Sequence, residues 1–332
     1  MGRRRHVRFE NPLKPAALLT DLVRPAPGGV QVYEQLFGSV CTLSFNAIDA
    51  NGELRGVTAA HCSPNVGIND GSVFGQPLFG ITNEFGTEIF DPAYRTDLAG
   101  CPSGFACRWS DSLLITGSSS RNQRGAIARP AGIGSLTINS TSPSFRIMGE
   151  SPRPLQNEQF NWVGRTSGWQ QGVVTQVCQD LRPAGGSIYL LCQGRMTSVA
   201  QPGDSGAPVF SFPGGSQGTN VLLRGIVWGD DDVTTVFSPI QNIERDLGPL
   251  DTCASGYVNC QNPEFGVASC TSLAFDPNNC GYCGHDCQSG VCQSGSCAPV
   301  EPGCPPGYPY DCCGDGSACM AVRSKCDDIV CY

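Results

Sequence analysis

Twenty cysteines in 332 residues constrain this chain more than any other feature of its sequence. Cysteine usage at that density is seldom tolerated in a reducing cytosol, and an even count fits a disulfide framework in a secreted protein. The cysteines are unevenly placed. Six (Cys41, Cys62, Cys101, Cys107, Cys178, Cys192) are spread over the first 250 residues, and fourteen crowd between Cys253 and Cys331. Both subsets are even, so each part can close its own bridges, which puts a domain boundary near Pro249-Leu250-Asp251. Charge divides the same way: from Asp251 onward there are nine acidic residues and two basic ones, so −7 of the chain's net −8 belongs to the tail. No basic face large enough to track phosphates appears, so nucleic acid is not an expected partner. No apolar run approaches membrane-spanning length, so no membrane partner is expected either. The chain is expected to be a monomer.

The N-terminus conflicts with the cysteines. Met1-Gly2-Arg3-Arg4-Arg5-His6-Val7-Arg8 has the charge of a signal peptide's first region, but Pro12, Lys14, Pro15 and Asp21 break up any hydrophobic stretch behind it. Residues 1–27 therefore read as a leader or propeptide-like segment without a convincing secretion signal. The cysteines outweigh this, and a secreted protein is expected.

Forty-two Gly, 25 Pro and a low charged fraction argue for short strands and many turns. One turn carries chemistry. In Gln201-Pro202-Gly203-Asp204-Ser205-Gly206-Ala207-Pro208-Val209-Phe210 a serine lies between two glycines, ahead of an apolar run that reads as a buried strand. A Ser hydroxyl is a poor nucleophile unless an adjacent base takes its proton, so it must sit on a tight, exposed turn with a His in reach. Gly203 and Gly206 permit positive φ, which can bring the N–H groups of Gly203 and Ser205 to one point, where a developing oxyanion would be held. Read alone, the stretch also fits a plain surface turn. Upstream, the apolar run Gly56-Val57-Thr58-Ala59-Ala60 ends in His61 and Cys62. Of the three histidines, His6 lies in the basic N-terminal segment and His285 in the cysteine-dense tail, so His61 is the only base available in the body of the chain.

Val57-Thr58-Ala59-Ala60-His61-Cys62 and Gly203-Asp204-Ser205-Gly206 resemble the histidine and serine signatures of chymotrypsin-like serine proteases. The order His, Asp, Ser is also theirs. Cys107-Arg108-Trp109-Ser110-Asp111-Ser112-Leu113-Leu114-Ile115 resembles the aspartate signature of the bacterial branch, the streptogrisin and α-lytic protease types. Asp91 and Asp97 compete for that role, but both lie in Pro/Gly-rich loop context and are expected to be solvated. Val163-Gly164-Arg165-Thr166-Ser167-Gly168-Trp169 and the residues to Thr175 are similar to the start of the second barrel in the same branch.

The resemblance implies an all-β fold of two antiparallel six-stranded barrels, about 30–116 and 145–248, within a domain spanning 28–250. It implies a catalytic triad of His61, Asp111 and Ser205, with the Gly203 and Ser205 N–H groups as oxyanion hole. Cys41 with Cys62 would pin the histidine loop, Cys101 with Cys107 would close a small loop before Asp111, and Cys178 with Cys192 would staple a hairpin. Leu222 to Gly229 would be the strand that binds substrate backbone by β-addition. Trp228 and Gly229 lie there, although Trp228 is equally a core residue. Val199 stands six residues before the serine, where trypsin-like members carry Asp, which points toward apolar or small substrate residues rather than Arg or Lys. Asp230-Asp231-Asp232 would restore basic preference or form a solvated loop. The bacterial branch pairs the Asp before the serine with an internal Arg. Trp162 occupies that position here, leaving Arg165 as the candidate partner of Asp204. Ala207 replaces the second Gly that usually follows the motif, and its methyl is a possible source of crowding behind the serine.

The tail, 251–332, is short of apolar residues and needs staples to hold a mostly irregular fold. Asp276 to Cys292 resembles the Asn-Cys-Gly-x-Cys-Gly-x-x-Cys modules appended to various extracellular proteins. Cys280-x-x-Cys283 with His285 offers a zinc site as the alternative to cross-linking. Pro305-Pro306-Gly307 separates a second piece with Cys312-Cys313. The tail would bind cell-wall or other extracellular polymer, or only space the enzyme. The expected function is a secreted serine endopeptidase acting on protein or peptide substrates, with no metal or organic cofactor. The alternative is a catalytically silent barrel pair whose tail is the functional part.

Overall fold

In a computed structural model of the chain, the described residues are 16–78, 80, 83–151, 153–183, 186–262 and 267–298, with the backbone of 310–311 and 319–320. The first part is built from β1 (Ala26–Gly28), β2 (Gln31–Glu34), β3 (Val40–Thr42), β4 (Phe45–Ile48), β5 (Leu54–Thr58), β6 (Val73–Gly75), β7 (Glu84–Phe90), β8 (Ala106–Arg108) and β9 (Leu113–Thr116). These short runs are rich in β-branched and aromatic residues and are interrupted by Gly, Asn and Pro, which favour turns over continued pairing.

The first sheet runs β3-β2-β6-β7-β9-β5-β4 with antiparallel neighbours. Its two edges are a single stretch of chain, because only Leu43 and Ser44 separate β3 from β4. Across that bend the Leu43 N–H donates to Val30 O and the Ser44 N–H to Val57 O, so the ladder passes from β2 to β5 without a gap. With 40–48 counted as one bent strand, six strands close on themselves. Closure removes the unpaired edges that an open sheet would present. Val32, Phe45, Val57, Phe74, Phe85, Leu113 and Ile115 fill the interior with no exposed surface, each contributing about 1.5–3 kcal/mol of apolar burial.

The second part contains β10 (Asn122–Ala128), β11 (Ser144–Glu150), β12 (Gln159–Gly164), β13 (Gly168–Leu181), β14 (Ile188–Met196), β15 (Pro208–Ser211), β16 (Asn220–Asp230), β17 (Thr235–Pro239) and α1 (Ile240–Leu247). The path β16-β15-β12-β13-β14-β17 is antiparallel throughout and closes through the β16–β17 pairing, giving a second six-stranded barrel. Phe160, Trp162, Val174, Met196, Ala207, Val209, Val227 and Phe237 form its buried core. Two closed antiparallel barrels are the all-β, chymotrypsin-like architecture that the motifs imply. The crossing between them carries strands of its own: β10 pairs with β11, and β11 joins β16 in parallel outside the closed cycle.

Beyond the body, Ile48 and Asp251 exchange N–H to O bonds of 2.9 and 2.8 Å. A hairpin of β18 (Val258–Asn262) and β19 (Val267–Thr271) adds antiparallel to β11. Asp251 and the β18–β19 hairpin thus share main-chain bonds with β4 and β11. Four bridges follow, Cys253–Cys270, Cys260–Cys283, Cys280–Cys292 and Cys287–Cys297. Residues 1–15, Cys304, Pro305-Pro306-Gly307, Cys312-Cys313, Cys326 and Cys331 lie outside the described residues.

Candidate active site

His61, Asp111 and Ser205 are brought together where the barrels meet. His61 sits in a single 3-10 turn, Ala60–Cys62, directly after β5, and the Cys41–Cys62 bridge ties that turn to β3. Asp111 lies in the loop between β8 and β9, and Ser205 in the turn before β15. His61 Nε2 is 2.7 Å from Ser205 Oγ. On the other side of the ring, Nδ1 makes a short contact with Asp111 Oδ2, while Asp111 Oδ1 accepts the His61 backbone N–H at 3.1 Å. Burial alone would pull the imidazole down, but the Asp111 charge and its hydrogen bond outweigh it and hold His61 above its ordinary value. Burial would likewise raise Asp111, and the charge and hydrogen bond of His61, with Arg108 behind, keep it below the usual carboxylate range. A hydroxyl against an imidazole whose far nitrogen faces an ionised carboxylate can give up its proton along that line.

The Asp111 loop is held by buried polar groups. Its own N–H donates to Ser238 Oγ at 3.1 Å. Asp246 on α1 accepts the Trp109 N–H at 3.0 Å, the Ser110 N–H at 2.6 Å and the Ser110 hydroxyl at 2.9 Å. Arg108, only 1% exposed, pairs with Asp91 at 2.7 Å. Asp91 is therefore not the solvated loop carboxylate expected from its Pro/Gly context: it is 4% exposed and also accepts the Gly67 N–H. A charge that far from water requires a partner, and the guanidinium supplies it. Asp97 is exposed and pairs with Arg95. The Cys101–Cys107 bridge closes the loop ahead of Arg108.

Gly203 and Gly206 have φ of +98° and +93°, a conformation that L side chains rarely adopt. Gly206 has no room for a side chain either, since a Cβ there would stand 2.0 Å from Thr42 O. Thr42, on β3 of the first barrel, donates its N–H to Ser205 O at 2.8 Å and its hydroxyl to Gly203 O at 2.9 Å. From behind, the Gly206 N–H reaches Val227 O at 2.8 Å. The N–H groups of Gly203 and Ser205 donate to nothing among the described residues. Ala207 does not crowd the turn, because its methyl is part of the second barrel's core.

The partner of Asp204 differs from the expected arginine. Its fully buried carboxylate accepts the N–H groups of Thr166 (2.9 Å), Ser167 (3.0 Å) and Gln201 (2.9 Å) and the Ser167 hydroxyl at 2.6 Å. Arg165 instead directs Nε to Gln31 Oε1 at 2.8 Å and another nitrogen to Thr166 Oγ1. Three main-chain dipoles and a hydroxyl satisfy the carboxylate without a cation. The Ser167 hydroxyl was the only part of this set that residue identity could have signalled.

Of the residues assigned to substrate, Val199 is 39% exposed. Trp228 is half-buried, with its indole N–H on Gln193 Oε1 at 2.9 Å. At Gly229 nothing lies within 4 Å of where a Cβ would be. Asp230 ends β16 and Asp231-Asp232 lie in the exposed turn that follows, where Asp231 accepts the Val233 and Thr234 N–H groups and pairs with Arg195. Those contacts use Asp231 as a turn residue. Cys178–Cys192 staples the β13–β14 hairpin. In the tail, Cys280 and Cys283 of the zinc alternative are both in disulfides, and the His285 ring stacks on Tyr282 with centroids 4.5 Å apart.

No protein-family model and no curated protein sequence matches the chain. Among solved structures it is similar to Protease A of Thermobifida fusca, at 20% identity over 69% of this chain and 98% of that one, with a TM-score of 0.46. It is similar to the Nocardiopsis protease NAPase at 20% identity, over 68% and 97% of the two chains, with a TM-score of 0.45. A chymotrypsin of Cellulomonas bogoriensis gives 19% identity over 69% and 98%, with a TM-score of 0.44.

Proposed function

We propose that this chain is a serine endopeptidase. The observation that carries the reading is the 2.7 Å contact between His61 Nε2 and Ser205 Oγ, with Asp111 on the far nitrogen. Ser205 Oγ attacks the peptide carbonyl carbon while its proton passes to His61 Nε2. The tetrahedral oxyanion is received by the N–H groups of Gly203 and Ser205, and loss of one such donor costs about 10²–10³ in turnover. His61 returns the proton to the leaving amine, the C–N bond breaks, and an acyl-Ser205 ester remains. Water then adds to the ester with its proton going to His61, and collapse releases the acid and restores the Ser205 hydroxyl. Asp111 fixes the imidazole tautomer and balances the imidazolium throughout.

Seven disulfides among the described residues fit an oxidising compartment, and we read the protein as secreted. Val199, in place of an acidic residue, supports cleavage beside apolar or small side chains, and the stapled tail is read as either binding extracellular or cell-wall polymer or only spacing the enzyme. A fluorophosphonate probe should label the protein and fail to label Ser205→Ala. Absence of labelling in the unaltered protein would leave only the silent-platform reading. Peptide and ester substrates assayed side by side separate an endopeptidase from an esterase.

A further inference from the structure

The side-chain amide of Gln193, on β14, has no exposed surface and all four of its hydrogen-bonding positions filled. Nε2 donates to the carbonyl oxygens of Trp109 and Leu191, both at 2.7 Å. Oε1 accepts the Trp228 indole N–H at 2.9 Å and the Ser238 hydroxyl at 2.7 Å. The neighbours fix which end is which. A carbonyl only accepts and an indole only donates, so the flipped amide would set donor against donor on one side and acceptor against acceptor on the other. The Ser238 hydroxyl is fixed as well: it accepts the Asp111 N–H at 3.1 Å, which turns its own proton toward Gln193.

The result is an unbroken run from the Asp111 backbone through Ser238 and Gln193 to Trp228, with a second arm from Gln193 to Trp109. One end is the loop that presents Asp111 to His61. The other is β16, where Val227, next to Trp228, holds the serine turn through the Gly206 N–H. We propose that Gln193 is a positioning residue that couples the Asp111 loop to the Trp228 strand, so that substrate docking along β16 and the alignment of Asp111 with His61 are set together. This rests on the peptidase reading above. No other residue type supplies two donors and two acceptors from one planar group of this length. A methionine would take away the partner of the Trp109 carbonyl and of the Trp228 indole N–H, while Leu191 O would keep Asn242 Nδ2 and Ser238 Oγ would keep the Asp111 N–H. A glutamate would keep the indole and Ser238 but place an acceptor against the Trp109 and Leu191 carbonyls.

The two arms predict different kinetics. Gln193→Glu, which disturbs the arm to the Asp111 loop, should lower kcat about tenfold with little change in KM, the size expected for losing one buried hydrogen bond that acts in the transition state. Trp228→Phe, which removes the indole N–H from the other arm together with part of the ring, should raise KM. In the double variant the effects should fall short of their product by at least about threefold, the mark of coupled groups. The low-field proton resonance of His61 Nδ1 should also shift in Trp228→Phe, although the Trp228 indole hydrogen-bonds to Gln193 and not to Asp111 or His61. Multiplicative effects together with an unmoved His61 resonance would overturn the proposal. If the unaltered protein fails to label with fluorophosphonate, the peptidase reading falls, and the resonance shift still decides whether the two ends are coupled.

Discussion

Gly206→Ala tests how the serine turn is held. The added methyl would stand 2.0 Å from Thr42 O and 2.6 Å from Thr58 Oγ1, on a backbone with φ of +93°. The left-handed conformation alone costs an L residue about 1–2 kcal/mol. The clash adds more, because Thr42 O belongs to the main chain and no rotamer change relieves it. The same Thr42 donates its N–H to Ser205 O at 2.8 Å, so moving β3 away breaks that bond, at a further net cost of about 1 kcal/mol. Stability should fall by about 2–3 kcal/mol, which a body with two closed barrels tolerates. Reactivity should fall much further, since a displacement of about 1 Å in a reacting group costs on the order of 10² in rate. Gly215→Ala is the control, because its φ is +76° and nothing lies within 4 Å of the new Cβ, so it carries the conformational strain without the clash. The assay is the second-order rate of fluorophosphonate labelling, with thermal unfolding measured on the same samples. Labelling of Gly206→Ala within about threefold of the unaltered protein would show that the turn does not depend on this close approach, since about 10² is the expected loss.

Because His61 must be neutral to accept the Ser205 proton and is held above its ordinary value, kcat/KM should fall as pH drops through a midpoint above that value. A midpoint below it in a pH-rate profile would refute the assigned balance between burial and the Asp111 charge. Glu150 is raised by burial, and further by Glu244, from 4.5 to about 8; the folded state therefore binds the extra proton, and this group's contribution to stability should decline as pH rises through that window. Glu150→Gln should flatten the unfolding temperature between pH 5 and pH 8, and an unchanged slope would be contrary to it. Replacing Cys41 and Cys62 by serine opens a bridge with a sequence separation of 21, and should cost about 3 kcal/mol in denaturant unfolding by the loop-entropy relation; a loss below about 1 kcal/mol would contradict that relation here.

Short strands and many turns were legible because Gly, Pro and a low charged fraction are local signals, whereas their closure into two barrels was legible only through the likeness of the motifs. The convergence of His61, Asp111 and Ser205 was legible only through motif likeness, since the residues lie far apart in the chain. What escaped was held by groups without a residue signature. Asp204 is satisfied mostly by main-chain N–H groups, which every residue but proline carries. Asp91 lies among the Pro/Gly turns that usually mark solvated loops, and only the distant Arg108 makes it a buried partner. Gln193 and Asp246 read as ordinary polar residues of a strand and a helix. Their importance arises from the barrel pairing that brings each one to the Asp111 loop, and no local pattern encodes that.

Each barrel fixes the other's contribution to the site. The serine turn belongs to the second barrel, yet Thr42 of the first holds it by its N–H and its hydroxyl. The Asp111 loop runs from β8, which pairs with β14, into β9 of the first barrel, and Ser238, Gln193 and Asp246 from the second half of the body receive or bind its polar groups. The distance from His61 to Ser205 is therefore set by how the barrels dock, and neither barrel alone carries the contacts that define it. A substitution that loosens Thr42 and one that loosens Asp246 lie on opposite sides of the cleft and share no partner. Independent effects would simply add. If docking sets the site, both substitutions relax the same seam, and the second should cost less in labelling rate once the first has been made.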